Sequence, residues 1–318
     1  MGQAQELNPM NSQTAAIHPA AGVGTVTLKV ADQGRSLAFY TGTIGLKILQ
    51  QDEHRAVLGA GNRPIVMLEE IRGAQRPPAN STGLYHAAIL FPNRRALAVK
   101  MAQITAIRYP FGYSDHLVSE AFYLSDPDGN GLELYRDRPR SEWTWINRQV
   151  QMALDPIDFD SFFAEIQDDD ISTADTSAPE GTKLGHMHLR VADLGAAEKF
   201  YHGLLGFDIT AHMPGALFLS AGGYHHHLGM NIWESRGGKP PAEPATGLGE
   251  FSIALPDRTE LDRLAQQIEA GGVSVERREG SAMVLDPFQN LVRLILQDQL
   301  VSSGERQIDD NRKSRTEM

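Results

Sequence analysis

One pattern of apolar and polar positions occurs twice in nearly the same form. Residues 26–46 and 187–207 each begin with alternating apolar side chains, continue through an Asp, and then show apolar positions at helical spacing up to a Gly. Alternation is typical of a β-strand, the longer period of an amphipathic helix, and Asp is a common residue at a helix start. Each copy contains a Phe-Tyr pair, beginning at Phe39 and Phe200, which we expect to pack the helix on a sheet.

A weaker pair of segments, 83–92 and 247–256, shares the strand pattern. Each precedes a predicted helix, over 94–106 and 259–270, and later an Asp-Pro turn followed by an apolar strand. Repetition at a long period indicates duplicated architecture. The pattern therefore predicts four units, each reading strand, helix and two or three strands: unit 1 at about 23–72, unit 2 at 83–137, unit 3 at 184–236 and unit 4 at 247–298.

The same pattern predicts a domain organisation. Polar and acidic residues separate units 2 and 3, and both ends of the chain are polar, which favours mobile termini. A short helix is predicted near 158–166. The expected divisions are a flexible N-terminus (1–22), a first domain (23–137), a linker (138–183), a second domain (184–298) and a flexible tail (299–318).

Composition narrows the class of partner. The 318 residues carry a formal net charge of −11, so no basic surplus is present to neutralise nucleic acid or an anionic membrane. No apolar run approaches the length of a membrane span, and the first twenty residues lack the pattern of a secretory signal. We therefore expect a cytoplasmic protein that acts on a small molecule, binds neither nucleic acid nor membrane, and can form a homo-oligomer.

Cysteine is absent from the chain. Disulfides, thiolate metal sites and cysteine nucleophiles are thereby excluded. Any bound metal must be held by His, Asp, Glu or water, which suits iron(II), manganese or zinc.

The stretch from His116 to Glu133 carries most of the candidate chemistry. It reads H-L-V-S-E-A-F-Y-L-S-D-P-D-G-N-G-L-E and includes Tyr123 and the turn at Asp126. A glutamate on an apolar strand is costly to bury unless it is paired or bound to metal. A histidine and a tyrosine can handle protons beside such a metal. The turn determines where Tyr123 and Glu133 point.

These units resemble the βαβββ modules of the vicinal oxygen chelate superfamily, which includes glyoxalase I, fosfomycin-resistance proteins and extradiol dioxygenases. The resemblance implies an α+β fold of four modules in two domains, in which paired modules form a cupped mixed sheet around a metal. The D-H-x-V-S…F-Y-x-x-D-P-x-G…E run is similar to the extradiol ring-cleavage signature. With G-G-Y-H-H-H in unit 3, the layout resembles the two-domain bacterial catechol 2,3-dioxygenases of the Bacillus type.

The resemblance also implies ligand positions on the first and last strands of the units. The first-strand positions of units 1 to 4 hold Thr25, His86, His186 and Glu250, and the last-strand positions hold Met67, Glu133, Asn231 and Arg293. Pairing units 1+2 and 3+4 leaves both cups incomplete, since arginine opposes metal binding. Pairing units 2 and 3 brings together His86, Glu133 and His186, a two-histidine, one-carboxylate set with open positions for substrate and dioxygen. We favour this pairing; His188, on the same strand face as His186, is an alternative ligand.

Three further residues receive roles from the resemblance. Tyr123 would hydrogen-bond the substrate oxygen on the metal, His116 would hold or deliver a proton, and His226 would act as the base near the dioxygen site. Each residue also has an alternative without a catalytic role. Tyr123 could be a core tyrosine, His116 a turn-capping histidine, and His226 part of a surface run of histidines. Strand alternation places His225 and His227 on the face opposite His226. His86 could be a core histidine and Glu133 a solvent-facing strand residue.

The expected function is an extradiol ring-cleaving dioxygenase that opens a catechol with O2 at a mononuclear non-haem Fe(II) site, with Mn(II) as the alternative metal. A glyoxalase-like isomerase, or a thiol transferase acting on an epoxide, is a rival on the same scaffold. The His116/Tyr123 pair argues against that rival. A metal-free binding protein of the bleomycin-resistance type is a third possibility, against which the ligand triad argues.

Overall fold

The computed structural model describes residues 15–164, 166 and 175–300, and within them each unit forms one strand, one helix and three strands. Module 1 comprises β1 (Gly22–Val30), α1 (Gln33–Phe39), β2 (Lys47–Gln51), β3 (Arg55–Ala60) and β4 (Arg63–Glu70). Module 2 comprises β5 (Gly83–Leu90), α2 (Arg94–Ala106), β6 (Gly112–Asp115), β7 (Ser119–Ser125) and β8 (Gly131–Asp137). The predicted α+β architecture of βαβββ modules is confirmed.

The second half of the chain repeats this order. Between the halves lie β9 (Trp145–Ile146), β10 (Gln149–Val150) and α3 (Phe159–Phe163). Module 3 comprises β11 (Lys183–Arg190), α4 (Leu194–Glu198), β12 (Asp208–Met213), β13 (Ala216–Ser220) and β14 (Leu228–Asn231). Module 4 comprises β15 (Gly247–Leu255), α5 (Arg258–Ala270), β16 (Glu276–Arg278), β17 (Ser281–Leu285) and β18 (Leu291–Leu296). None of the helices described is long and apolar enough to cross a membrane.

The modules pair across the two halves of the chain. One eight-stranded sheet has the order β16-β17-β18-β15-β1-β4-β3-β2 and joins modules 4 and 1. The other has the order β12-β13-β14-β11-β5-β8-β7-β6 and joins modules 3 and 2. We call them the 1+4 sheet and the 2+3 sheet. The pairing of units 2 and 3 favoured from the ligand positions is therefore the one observed.

The predicted domain boundaries remain predictions, because each sheet takes strands from both halves. The segment predicted as a linker packs in part: Trp143, Val150 and Phe162 are buried. Residues 165 and 167–174 of that segment lie outside the described residues.

The two predicted flexible ends fall largely on residues that the structure does not describe, 1–14 and 301–318. The remainder of the N-terminal segment packs on module 3. Ile17 is buried, and its backbone N–H donates to the carbonyl of Gly206 at 2.9 Å. At the other end, Leu300 is buried as well.

The Phe-Tyr pairs connect consecutive modules. The helices α1 and α4 follow the capping residues Asp32 and Asp193, and each continues into a short π-helical segment. The first pair lies at the junction of α1 and its π-helical segment, and the second lies within the segment after α4. The Tyr40 hydroxyl donates to Asp126 Oδ2 at 3.1 Å, and that of Tyr201 donates to Asp286 Oδ2 at 2.8 Å. Each tyrosine thus anchors the Asp-Pro turn of the following module, besides packing its helix on the sheet as predicted.

Strand alternation divides the first strand of module 3 between two environments. Met187 and Leu189 enter a single apolar core that contains residues of both sheets and of the helices. Successive strand side chains point to opposite faces, so His186 and His188 lie on the other face, inside the cup. Both histidines are buried there.

Candidate metal centre

The register of three central strands places the predicted ligands around one small side chain. Ala88 on β5 pairs with Glu133 on the parallel strand β8 and with His186 on the antiparallel strand β11. His86 is two residues from Ala88 and therefore faces the same side. The methyl group of Ala88 leaves the space between the three larger side chains open.

Two imidazole nitrogens meet one carboxylate oxygen at this point. His86 Nε2 lies 2.9 Å and His186 Nε2 3.1 Å from Glu133 Oε2. Ligand atoms of all three residues lie within 4.8 Å of one another, and all three residues are buried. Among the described residues, these are the ones with the spacing of a metal centre.

The chemistry of this set fits a divalent metal. Ligand bonds of about 2.1 Å place two neighbouring donors of one ion about 3 Å apart, which is the spacing observed. His186 Nε2 is hydrogen-bonded to Glu133, whereas buried His86 Nε2 has no hydrogen-bond partner despite its closeness to the carboxylate. A buried nitrogen without a partner is costly, and a metal ion would satisfy it.

His188 has a different environment from His186. Its Nε2 accepts a hydrogen bond from Asn231 Nδ2 at 3.0 Å, and it is not in the three-residue cluster. Burial, followed by the neighbouring His86 and His186, holds the pKa of His188 well below its ordinary value. The geometry supports His186 over His188 as the ligand, and the assignment itself stays a prediction.

The carboxylate remains charged in this setting. Burial on its own would raise the pKa of Glu133, but His186 and then His86 outweigh it, so the pKa lies well below its usual range. Burial lowers the pKa of His186, against the opposing effect of Glu133. Near neutral pH, Glu133 therefore presents an anionic oxygen and His186 a neutral imidazole, which are the forms that bind metals.

Tyr123 and His116 form a hydrogen-bonded pair beside the cluster. Tyr123 on β7 pairs with Glu133 on the neighbouring antiparallel strand β8. The Tyr123 hydroxyl is in short contact with His116 Nε2. His116 Nδ1 lies 2.8 Å from the carbonyl of Ala153, to which it must donate. With its proton on Nδ1, His116 can accept a hydrogen bond from the Tyr123 hydroxyl at Nε2. Burial, followed by the charge of Glu133, raises the pKa of Tyr123 well above its ordinary value.

His226 lies beside His186, whereas Tyr123 lies beside His86. The His226 ring centroid is 4.2 Å from that of His186, and its side chain is buried. Burial and then the neighbouring His186 hold its pKa well below the ordinary value, so the ring is neutral at pH 7. The structure thus brings all six predicted site residues into one region, although their roles remain predictions.

The predicted separation of His225 from His226 by strand alternation is wrong. His225 Nδ1 lies 2.8 Å from His226 Nδ1, and His225 is completely buried. The prediction failed because β14 begins only at Leu228, so the alternation of a strand does not apply to the three histidines.

Asp137 and Tyr224 were not recognised from the sequence. Asp137 Oδ1 lies 2.9 Å from His225 Nε2 and accepts a hydrogen bond from the Tyr224 hydroxyl at 3.1 Å. Asp137 follows the apolar strand that carries Glu133, and its nearness to a histidine ring 88 positions away depends on the pairing of modules. No local signal could have revealed it.

A cavity of about 940 Å³ opens onto the cluster. Its volume is near the upper end of the range for small-molecule sites, roughly 300–1,000 Å³. The residues named above that line it are His86, His116, Tyr123, Glu133, His188 and His226. The site is therefore accessible to a small molecule from one side, with protein on the others.

The fold defines a class of protein in which paired βαβββ modules share one sheet, and in this chain one such sheet carries the cluster of His86, Glu133 and His186. The sequence profile of the Glyoxalase/Bleomycin resistance protein/Dioxygenase superfamily matches residues 22–134 and 183–294. The chain belongs to this superfamily.

The chain is similar in sequence to one known protein and similar in fold to solved structures. The chain is 42% identical over 276 residues to the catechol-2,3-dioxygenase of Bacillus subtilis (strain 168), covering 85% of this chain and 95% of that protein. Glyoxalase I from Zea mays is similar in fold, with a TM-score of 0.53, 18% identity and coverage of 90% and 97% of the two chains. A crystal structure from Bacillus subtilis subsp. subtilis str. 168 aligns with a TM-score of 0.64 at 14% identity, covering 94% and 96%.

Proposed function

We propose that this protein is an extradiol ring-cleaving dioxygenase that opens a catechol with O2 at a mononuclear Fe(II) centre held by His86, Glu133 and His186. The observation that carries the proposal is the convergence of these ligand atoms within 4.8 Å beside the Tyr123–His116 pair, at the floor of a cavity. Similarity to a catechol-2,3-dioxygenase over most of both chains supports the same conclusion.

The reaction needs no reductant. The ring carbon–carbon bond beside the diol breaks, both atoms of O2 enter the product, and a muconic semialdehyde results. A ferrous ion held by His86, Glu133 and His186 would supply Lewis acidity and would bind both substrates. The remaining contributions come from the side chains around it.

His226 is suited to take a proton from the catechol. Its ring is neutral at pH 7 because burial keeps the pKa well below its ordinary value. It contacts His186 and lines the cavity, so it faces the space that a bound diol would occupy. We assign it the role of general base.

Tyr123 and His116 act on the other side of the diol. The high pKa of Tyr123 keeps its single hydroxyl proton in place, and the hydroxyl can donate that proton to a substrate oxygen when it turns away from His116 Nε2. The contact with His116 Nε2 lets that histidine exchange a proton through the same hydroxyl. The pair can therefore orient the substrate and return a proton after the ring bond breaks.

The cavity walls support a substrate with a bulky, uncharged substituent. Many of the lining side chains are apolar or aromatic, among them Tyr85, Met152, Leu154, Met213, Phe218 and Trp233. The two lining cations are both paired with carboxylates, Lys29 with Glu243 and Arg190 with Glu234. Neither is positioned as an unpaired partner for a carboxylated ring, so we expect an arylcatechol to be preferred over a carboxylated one.

The decisive experiment loads the purified protein with Fe(II) without air and then adds 3-phenylcatechol, catechol or 3,4-dihydroxybenzoate in aerated buffer. We expect a yellow product, highest kcat/KM for 3-phenylcatechol, and both atoms of 18O2 in the product. Tyr123→Phe should lower kcat by about a hundredfold, within the usual range for proton-transfer groups. An iron-loaded protein that opens none of the three catechols, or that isomerises a hemithioacetal instead, would contradict the proposal.

A further inference from the structure

The side chains of Asp137, His225 and His226 form a continuous hydrogen-bonded chain that ends at the cavity. Asp137 Oδ1 lies 2.9 Å from His225 Nε2, and His225 Nδ1 lies 2.8 Å from His226 Nδ1. His225 is fully buried and His226 nearly so, and no water is needed to connect them. Asp137 also accepts a hydrogen bond from the Tyr224 hydroxyl. Neither Asp137 nor Tyr224 belongs to the cluster of three candidate metal ligands.

The donors and acceptors in this chain can be arranged in one way with neutral rings. A carboxylate only accepts, so His225 must carry its proton on Nε2. Its Nδ1 is then bare and accepts, which requires His226 to carry its proton on Nδ1. The remaining nitrogen of His226, Nε2, is left without a proton. A carboxylate thus determines the tautomer of a histidine with which it has no contact.

We propose that Asp137 and His225 are positioning residues that hold His226 as the Nδ1–H tautomer, with a bare Nε2 available as a base. This inference rests on the proposed role of His226. It also assigns a reason for the burial of His225, whose ring is covered by Tyr224 and Trp143 at centroid distances of 4.1 and 5.2 Å. Without the carboxylate, either tautomer of the two rings would satisfy the contact between them.

The tautomers can be read directly in the full-length protein labelled with 15N-histidine. Long-range 1H–15N correlation spectra distinguish a protonated from a bare ring nitrogen, and measurements without metal and with diamagnetic zinc avoid iron altogether. We expect His225 as the Nε2–H and His226 as the Nδ1–H tautomer. A His226 ring protonated on Nε2 would overturn the proposal.

Asp137→Asn tests the order of donors and acceptors in the hydrogen-bonded chain, because an amide can donate as well as accept. We expect His225 and His226 to show mixed tautomers, and kcat of the iron-loaded enzyme to fall about ten- to hundredfold with little change in KM, as is typical for groups that orient active residues. Asp137→Glu should restore part of the rate. Asp208→Asn, at an exposed position of β12 in the same sheet, is the matched control and should change neither readout.

The outcomes separate this inference from the proposed function. Expected tautomers in a protein that opens no catechol would support the chain and contradict the dioxygenase assignment. Full activity in Asp137→Asn with unchanged tautomers would overturn the positioning role while leaving the dioxygenase intact.

Discussion

The two eight-stranded sheets hold different side chains at corresponding positions of the same module. In the 2+3 sheet, Ala88 pairs with Glu133 in the parallel β5–β8 ladder, and in the 1+4 sheet Ser252 pairs with Arg293 in the β15–β18 ladder. Two residues before these pairs stand His86 and Glu250. Arg293, a cation, therefore occupies in the 1+4 sheet the position that the anionic Glu133 occupies in the 2+3 sheet.

The contacts at these positions differ accordingly. Arg293 Nη2 lies 2.8 Å from Glu250 Oε2, a direct ion pair where the 2+3 sheet has an imidazole and a carboxylate. Thr25, which aligns with His186, is hydrogen-bonded to Ser252 at 3.1 Å. The guanidinium supplies the positive charge that a metal ion would supply in the other cup. One duplicated scaffold thus carries a candidate catalytic centre on one sheet and a closed ion pair on the other.

The largest expected effect comes from removing the carboxylate that distinguishes the first cup. Glu133→Gln should lower iron content to background and kcat/KM by at least about a thousandfold, since a lost metal removes every step that depends on it. Metal analysis and steady-state kinetics provide the measurement. Glu250→Gln, at the position of the 1+4 sheet that corresponds to His86, is the control and should retain the iron. Equal loss of iron in both variants would contradict the assignment of the metal to the 2+3 sheet alone.

The second effect is on the ion pair of the other cup. Arg293→Met leaves Glu250 with no cation at a mostly buried position, and removing one partner of such a pair typically costs about 3 kcal/mol. Urea unfolding of the variant should show this loss in the free energy of unfolding, with iron content unchanged. A variant as stable as the parent protein would mean that the pair is not structural.

A smaller effect is expected from the residue between the ligands. Ala88→Val adds two methyl groups where Glu133 and His186 flank β5, so we expect about tenfold weaker metal binding from displaced ligands. Competition with a fluorescent zinc chelator measures the affinity. The matched variant Ser252→Val, in the other sheet, should leave metal affinity unchanged. Unaltered affinity in Ala88→Val would place the metal elsewhere.

The smallest effect concerns His227, which lies against Gly22 of β1 where the two sheets adjoin. Burial lowers the pKa of His227 from 6.5 to about 3. The unfolded chain therefore binds more protons between these values, and stability decreases as pH falls through that window. At pH 5, His227→Gln should make the decrease in the free energy of unfolding about 1 kcal/mol smaller, allowing for partial solvent contact.

Urea unfolding at pH 7.5 and pH 5 measures the change for His227→Gln. Replacement of exposed His54 by Gln is the control and should leave the pH dependence as it is. An identical pH dependence in all three proteins would show that His227 does not report on the contact between sheets.

Local pattern was sufficient for the four repeated units, each with one strand, one helix and two or three further strands. The site positions within those units came from the resemblance to a known superfamily. Applied to His86, Glu133 and His186, that resemblance also indicated which modules pair, because the other pairing would oppose Arg293 to a metal. Alternation failed at His225, since the three histidines precede β14 and have no regular strand geometry.

By itself, then, the sequence determined the repeated modules and the types of ligand available, because both depend on short-range periodicity and side-chain chemistry. Only the tertiary structure decided that Asp137 meets His225 and that Ala88 separates Glu133 from His186. Those contacts depend on how β5 and β11 align across the two halves of the chain. The alternating pattern of a strand determines which face is buried, but it does not determine which distant strand becomes its neighbour.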